Sequence, residues 1–150
     1  MRYSDLSKYS YTKLRSRASL LNVGWLDLDA PFLEGAVPAQ AIARIEAAIP
    51  LYLNAMRGIH GCPFCGDSDI YADIDGKSTL LGMSDIWIPS KLSETVYIAP
   101  SLILHYITAH QYMPPREVVD ELLALPPFPA LWNTPEGSYA KLVKRYGDRD

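Results

Sequence analysis

The residues best equipped for chemistry are two cysteines in a tight tetrapeptide, Cys62-Pro63-Phe64-Cys65, followed by Gly66, and two later histidines, His105 and His110. Thiolate sulfur and neutral imidazole are preferred donors for zinc, and four of them complete the closed tetrahedral shell of a structural site. Pro63 stiffens the turn between the sulfurs, and Gly66 lets the backbone fold back so that its N–H groups can point at sulfur. His105 and His110 are five positions apart, inside the spacing range of Cys2His2 sites. On an ideal helix that offset separates them by roughly 140°. If both are to face one ion, the helix must widen near Ala109 and His110 through a π-type or loosened last turn. The expected metal ligands are therefore Cys62, Cys65, His105 and His110, and the expected ion is Zn2+. The long gap between Cys65 and His105 exceeds that of a small DNA-reading finger, which implies that the metal staples a larger domain.

Other chemistries compete for these residues. A Cys-Pro-Phe-Cys dithiol is also the glutaredoxin type of redox site, but that site needs a helix starting at the motif to lower a thiol pKa. Here Gly66-Asp67-Ser68-Asp69 supplies turn formers and negative charge instead. A structural disulfide fits poorly with the cytoplasmic location expected below. His60 lies close enough to Cys62 to replace one of the later histidines. Three protein ligands, an open position for water and a base such as Asp67, Asp69 or Asp85 would make a zinc-dependent hydrolase. No His-Glu-x-x-His or deaminase motif is present, nor a phosphate loop or Gly-x-Ser-x-Gly elbow.

The elements that must carry these donors are punctuated by twelve prolines. Pro38 marks a helix start, with Ile42, Ile45 and Ile49 at helical spacing up to Pro50. Leu20 to Asp29, with Val23, Trp25, Leu26 and Leu28, anchors an otherwise irregular arm. Leu51 to Ile59 reads either as a further helical turn closed by Gly58 or as a strand. Ile70–Ile74, Asp75-Gly76 and Lys77–Leu81 read as a hairpin with a type I′ turn. Asp85–Ile88 and Thr95–Ile98 form a second strand pair, making a small antiparallel meander. Pro100 opens a helix to roughly Ala109, and Pro115 starts another that carries Val118, Val119, Leu122, Leu123 and Leu125. A last helix runs from an N-cap at Thr134 to Tyr146, with Gly147 beyond its end. Trp25 and Trp132 are expected in the core.

The chain has 150 residues, 49% hydrophobic and 21% charged, which suits one domain with a proper core. Charges scattered through Met1 to Leu20 do not make a signal peptide, so a cytoplasmic location is expected. The longest apolar run, around Ile98 to Ile107, is too short to cross a bilayer. A net charge of -3 gives no general attraction to phosphate. The basic groups Lys8, Lys13, Arg15, Arg17 and Lys141, Lys144, Arg145 read as solvated surface. Between Gly61 and Met113 the only lysines or arginines are Lys77 and Lys91, which argues against a nucleic-acid face around the metal.

The stretch from Cys62 to about Leu123 resembles a family of uncharacterised small bacterial proteins. The residues carrying the resemblance are Cys62 and Cys65, Gly82-Met83-Ser84-Asp85-Ile86 with Pro89, Tyr97-Ile98-Ala99-Pro100-Ser101-Leu102, His105-Tyr106, His110 and Pro114-Pro115. Asn22-Val23-Gly24-Trp25-Leu26 looks like the same family's opening motif. The resemblance implies a zinc-finger-like domain rather than a reaction. Together these features lead to a single α+β domain over residues 1–150. It comprises an N-terminal arm and helix (1–60), a zinc-binding meander and helix with a Cys2His2 site (61–113), and a C-terminal helical cap (114–150), with the meander packed against several short helices. The expected role is that of a non-enzymatic accessory, immunity-like or regulatory protein that binds another protein. A zinc-dependent hydrolase is the alternative, and a nucleic-acid-binding zinc-finger protein a further one.

Overall fold

Val96, Ile98 and Ala99 are fully buried, and the strand that carries them, β5 (Thr95–Pro100), is the middle strand of a three-stranded sheet. In the computed structural model, which describes residues 3–10, 17–55, 59–66, 69–142 and 144, β5 lies between β1 (Ser19–Asn22) and β4 (Asp85–Pro89). The β4–β5 pair is antiparallel, with Asp85 opposite Pro100 and Trp87 opposite Ile98. β1 joins β5 in parallel, from Ser19 opposite Thr95 to Asn22 opposite Ile98. A strand with neighbours on both sides and packing on both faces needs apolar residues at successive positions, which accounts for the unbroken run in β5.

The fold is α+β, as expected, but the meander is not continuous. β2 (Tyr71–Ile74) and β3 (Lys77–Leu80) form a separate antiparallel hairpin. Its turn follows the expected type I′ form, with Asp75 at φ 51° and Gly76 at φ 80°. What separates it from β4 is the link through Gly82, at φ +94°, where the chain turns away instead of pairing onward. The arm expected to be irregular contributes a strand, β1, and completes a mixed sheet.

Helix α1 (Ala39–Ala48) begins after Pro38, which caps it from outside, and it buries Ala41, Ile45 and Ala48. A short 3-10 turn, Ile49–Leu51, follows and ends at left-handed Tyr52. Leu53 then bridges to Asp85. As far as Ala55 the segment after α1 is therefore one 3-10 turn and an isolated bridge, and residues 56–58, Gly58 among them, lie outside the described residues. Pro100 ends β5 rather than opening a helix; α2 (Ile103–His110) starts three residues later. Helix α3 (Arg116–Ala124) follows Pro115 and buries Val118 and Leu122, packing against α1. Trp25 and Trp132 are both in the core.

The expected last helix starts at Tyr139 rather than at Thr134. Thr134 lies in a two-residue strand, β6 (Asn133–Thr134), which turns through Pro135-Glu136 into β7 (Gly137–Ser138). The Thr134 hydroxyl donates to the Gly137 carbonyl at 2.7 Å, so its polar group closes the turn instead of capping a helix. Helix α4 begins at Tyr139 and is described as far as Leu142 (Tyr139–Leu142), with Lys141 N–H directed at Ser138 Oγ. Tyr146 and Gly147 lie outside the described residues. Among the described residues, no helix is long and apolar enough to cross a membrane.

Candidate metal centre

Three hydrogen bonds, two of them between backbone groups and one to a side chain, position the Cys62–Cys65 turn. His60 N–H donates to the Gly82 carbonyl, Gly82 N–H donates to Ser101 Oγ at 2.7 Å, and Ser101 N–H donates to the Ser84 carbonyl. The approach to the turn, the β3–β4 link and the approach to α2 are thus tied at one point. A Cβ on Gly82 would stand 2.1 Å from the His60 oxygen, closer than any side chain allows. Only glycine fits, both for this contact and for the positive φ.

Within the turn, Cys65 N–H donates to the Cys62 carbonyl at 3.2 Å. The backbone N–H groups of Phe64 and Cys65 bear on the Cys62 sulfur, the arrangement expected from the motif. Gly66 closes the turn at φ +81° with open space where a Cβ would be. Cys62 is buried and Cys65 exposed.

Helix α2 supplies the two imidazoles and closes just after the second of them. Gln111 N–H bonds to the Tyr106 carbonyl five positions back, and Gln111 adopts the left-handed conformation. Tyr112 N–H reaches the same carbonyl at 3.0 Å. A five-residue closure is the π-type bond. It falls at the helix end, in Gln111, after a helix that is α-helical through His110. The two rings stand 5.0 Å apart between centroids.

The structure brings all four expected residues together. Cys62 Sγ lies 3.4 Å from His110 Nε2, and Cys65 Sγ lies 3.3 Å from His105 Nε2 and 3.4 Å from His110 Nε2. All four donor atoms fall within 4.8 Å of one another. Zinc–sulfur and zinc–nitrogen bonds at tetrahedral angles give a sulfur–nitrogen edge of about 3.6 Å, so the set has the size and composition of a four-coordinate shell. It is a Cys2His2 cluster that could hold a metal ion.

The electrostatics favour imidazole as a neutral ligand. Burial, and then the neighbouring His110, hold His105 below the ordinary histidine range. Burial pushes the Cys62 thiol up, partly opposed by the two backbone N–H groups. Binding a divalent ion reverses that cost, because a coordinated thiol is deprotonated outright.

An aromatic collar holds the cluster from one side. Phe64 packs on His110, with centroids 5.2 Å apart, and edge-on against Tyr106 and Phe32. Phe32 in turn meets Tyr112 at 5.9 Å. Tyr112 donates its hydroxyl to Asp5 at 2.8 Å, and Asp5 also accepts the Gly24 N–H, so the N-terminal arm braces the end of α2. Sequence reasoning missed this collar. Its one visible signal was an aromatic residue set between the two cysteines.

The remaining candidates lie elsewhere. His60 directs its backbone to Gly82 and its ring edge-on to Trp25, at 6.3 Å, and it is not in the cluster. Asp85 is 1% exposed, below the surface, where it accepts from Tyr9 Oη at 2.8 Å and Asn54 Nδ2 at 2.9 Å. It is a core carboxyl rather than a base beside the cluster. Asp69 is exposed, and Asp67 lies outside the described residues. A groove of about 560 Å³ runs between Ser90–Glu94 and the Pro126–Pro135 segment and includes none of the four cluster residues. A smaller hollow of about 250 Å³ touches His105 and is lined also by Glu46, Asp73 and Thr108.

No curated protein and no solved structure matches the chain. Residues 1–123 match one family, which takes in β1, the hairpin, all four cluster residues and most of α3. The chain belongs to the family described as a domain of unknown function (DUF7919).

Proposed function

We propose that Cys62, Cys65, His105 and His110 hold one structural Zn2+ ion, and that the chain is a non-enzymatic, zinc-stabilised protein that binds another protein in an accessory, immunity-like or regulatory role. The observation that carries the metal reading is the convergence of two sulfurs and two imidazole nitrogens within 4.8 Å. They come from a turn and a helix far apart in sequence. Four protein donors fill a tetrahedral shell, and a hydrolytic zinc needs one position left open for water. The groove along Ser90–Glu94 also lies away from the cluster residues. These two features support a stabilising role over catalysis. A structural ion is worth roughly 10–16 kcal/mol in finger peptides, comparable to a whole domain's net stability.

The protein-binding part of the proposal is supported by exposed apolar side chains at Leu28, Leu33, Leu92, Phe128 and Leu131, and by the scarcity of lysine and arginine around the cluster. A reducing, cytoplasmic setting suits free thiols. The test is metal content of the purified chain by elemental analysis, with Cys65→Ser and His110→Ala alongside. One zinc per chain, lost in both variants together with cooperative unfolding, is the expected result. A wild-type chain that folds without metal and takes none up in titration would end the reading.

A further inference from the structure

The two cysteines share one turn but not one environment. Cys62 is 1% exposed, whereas Cys65 is open to solvent. Residues at the first and fourth positions of a hydrogen-bonded turn have Cα atoms less than about 7 Å apart. A disulfide spans Cα separations of about 4.4–6.8 Å, so this turn can close on itself. The sulfurs already lie within 4.8 Å of each other. Around an ion, the sulfur–sulfur edge of a tetrahedral shell is about 3.8 Å, whereas a covalent bond draws the sulfurs to about 2.05 Å. The metal-bound and bonded states therefore exclude one another.

We propose that Cys65 is an oxidation site for small hydroperoxides, with Cys62 as its resolving partner, and that their reaction ejects the ion and opens the centre. This rests on the zinc reading above. The Cys65 sulfur attacks one peroxide oxygen, the O–O bond breaks, and Cys65 becomes a sulfenic acid while the other oxygen leaves as hydroxide, or as alkoxide from an organic hydroperoxide, and is protonated to water or the alcohol. The Cys62 sulfur then attacks the Cys65 sulfur, the S–O bond breaks, and a hydroxide leaves to become water. The peroxide is reduced by two electrons and the two thiolates are oxidised by two. Two histidines alone remain as donors, too few for a closed zinc shell. Exposure sets the order of events: a peroxide reaches Cys65 directly, and Cys62 is reached only through its neighbour.

The experiment uses the full chain loaded with zinc. Hydrogen peroxide should release one zinc for each disulfide formed, read by a chromophoric chelator and by a mass about 2 Da below that of the reduced chain. Dithiothreitol with added zinc should reverse both. In a separate arm without peroxide, a limiting dose of iodoacetamide followed by peptide mapping should label Cys65 at least about tenfold more than Cys62, with no variant required. Retention of zinc and both thiols at peroxide concentrations that oxidise the denatured chain would overturn the proposal. So would equal labelling, or labelling first at Cys62. A chain that takes up no zinc before peroxide is added fails the metal reading itself, and the ejection step with it. Uptake followed by no oxidation defeats only the present proposal.

Discussion

Asp85 is a buried carboxyl, 1% exposed, whose charge depends on the fold around it. Burial raises its carboxyl pKa from the ordinary 3.8 to about 7, although hydrogen bonds from Asn54, Tyr9 and Trp87 pull the other way. In the unfolded chain it loses its proton near pH 4, and in the folded chain near pH 7. Between these values the folded state holds a proton that the unfolded state has released, so stability from this group falls as pH rises. Below pH 4 the group is neutral in both states and costs nothing. Above pH 7 it is charged in both, and the cost levels off at about 4 kcal/mol, since each pH unit between the two values contributes about 1.4 kcal/mol. Asp85→Asn removes the titration while retaining an amide oxygen able to accept from Tyr9. The assay is urea unfolding of both proteins, zinc-saturated, at steps from pH 5 to pH 8.5. Loss of metal at low pH affects both equally, so the quantity to follow is their difference. The wild type should lose stability relative to the variant by about 1.4 kcal/mol per pH unit up to pH 7 and then run parallel to it. A constant offset reports the exchange of one side chain for another and is immaterial. A difference independent of pH across this range would refute the reasoning.

Three further outcomes are expected. Gly82→Ala puts a methyl group 2.1 Å from the His60 oxygen at a backbone angle of φ +94°; it should cost about 3 kcal/mol or more in chemical unfolding, and a loss below about 1 kcal/mol would mean that the His60–Gly82 junction is not rigid. Ile45→Ala empties a fully buried position on α1 and should lower stability by about 2–5 kcal/mol without changing zinc content, which would separate core packing from the metal centre. A chelator strong enough to strip zinc should lower the thermal midpoint by tens of degrees in circular dichroism, with recovery on adding zinc; an unchanged midpoint would mean that the four donors are held by packing alone.

The candidate cluster was legible because metal donors are few in kind. With two cysteines and three histidines in the chain, spacing selected His105 and His110; the widening expected near Ala109 and His110 is a five-residue closure one position later, at Gln111. The Asp75-Gly76 hairpin was equally readable, because the demand for two positive φ values is local. What failed was non-local. Nothing within Ser19–Asn22 reveals that it pairs with Thr95–Ile98, so the arm looked irregular. Pro100 and Thr134 fit helix starts by rule, yet Pro100 is held by Asp85 across a strand pair and Thr134 by its own turn. Tertiary pairing overrides such local signals, which are worth only about 1 kcal/mol each.

The parallel pairing of β1 with β5 also has a meaning for the growing chain. Ser19 meets Thr95 roughly 75 positions later, so at about 5–20 residues per second the ribosome needs some 4–15 s after making β1 to synthesise its partner. During that interval Leu20 and Leu21 have no sheet to join, and β4 too is made before the strand that will separate it from β1. The sheet is assembled from its edges inward, and the last strand to be synthesised is the one on which the other two depend. Mutations that slow synthesis or weaken β5 should therefore be felt first as loss of yield from nascent chains, well before they register as lowered stability of the finished protein.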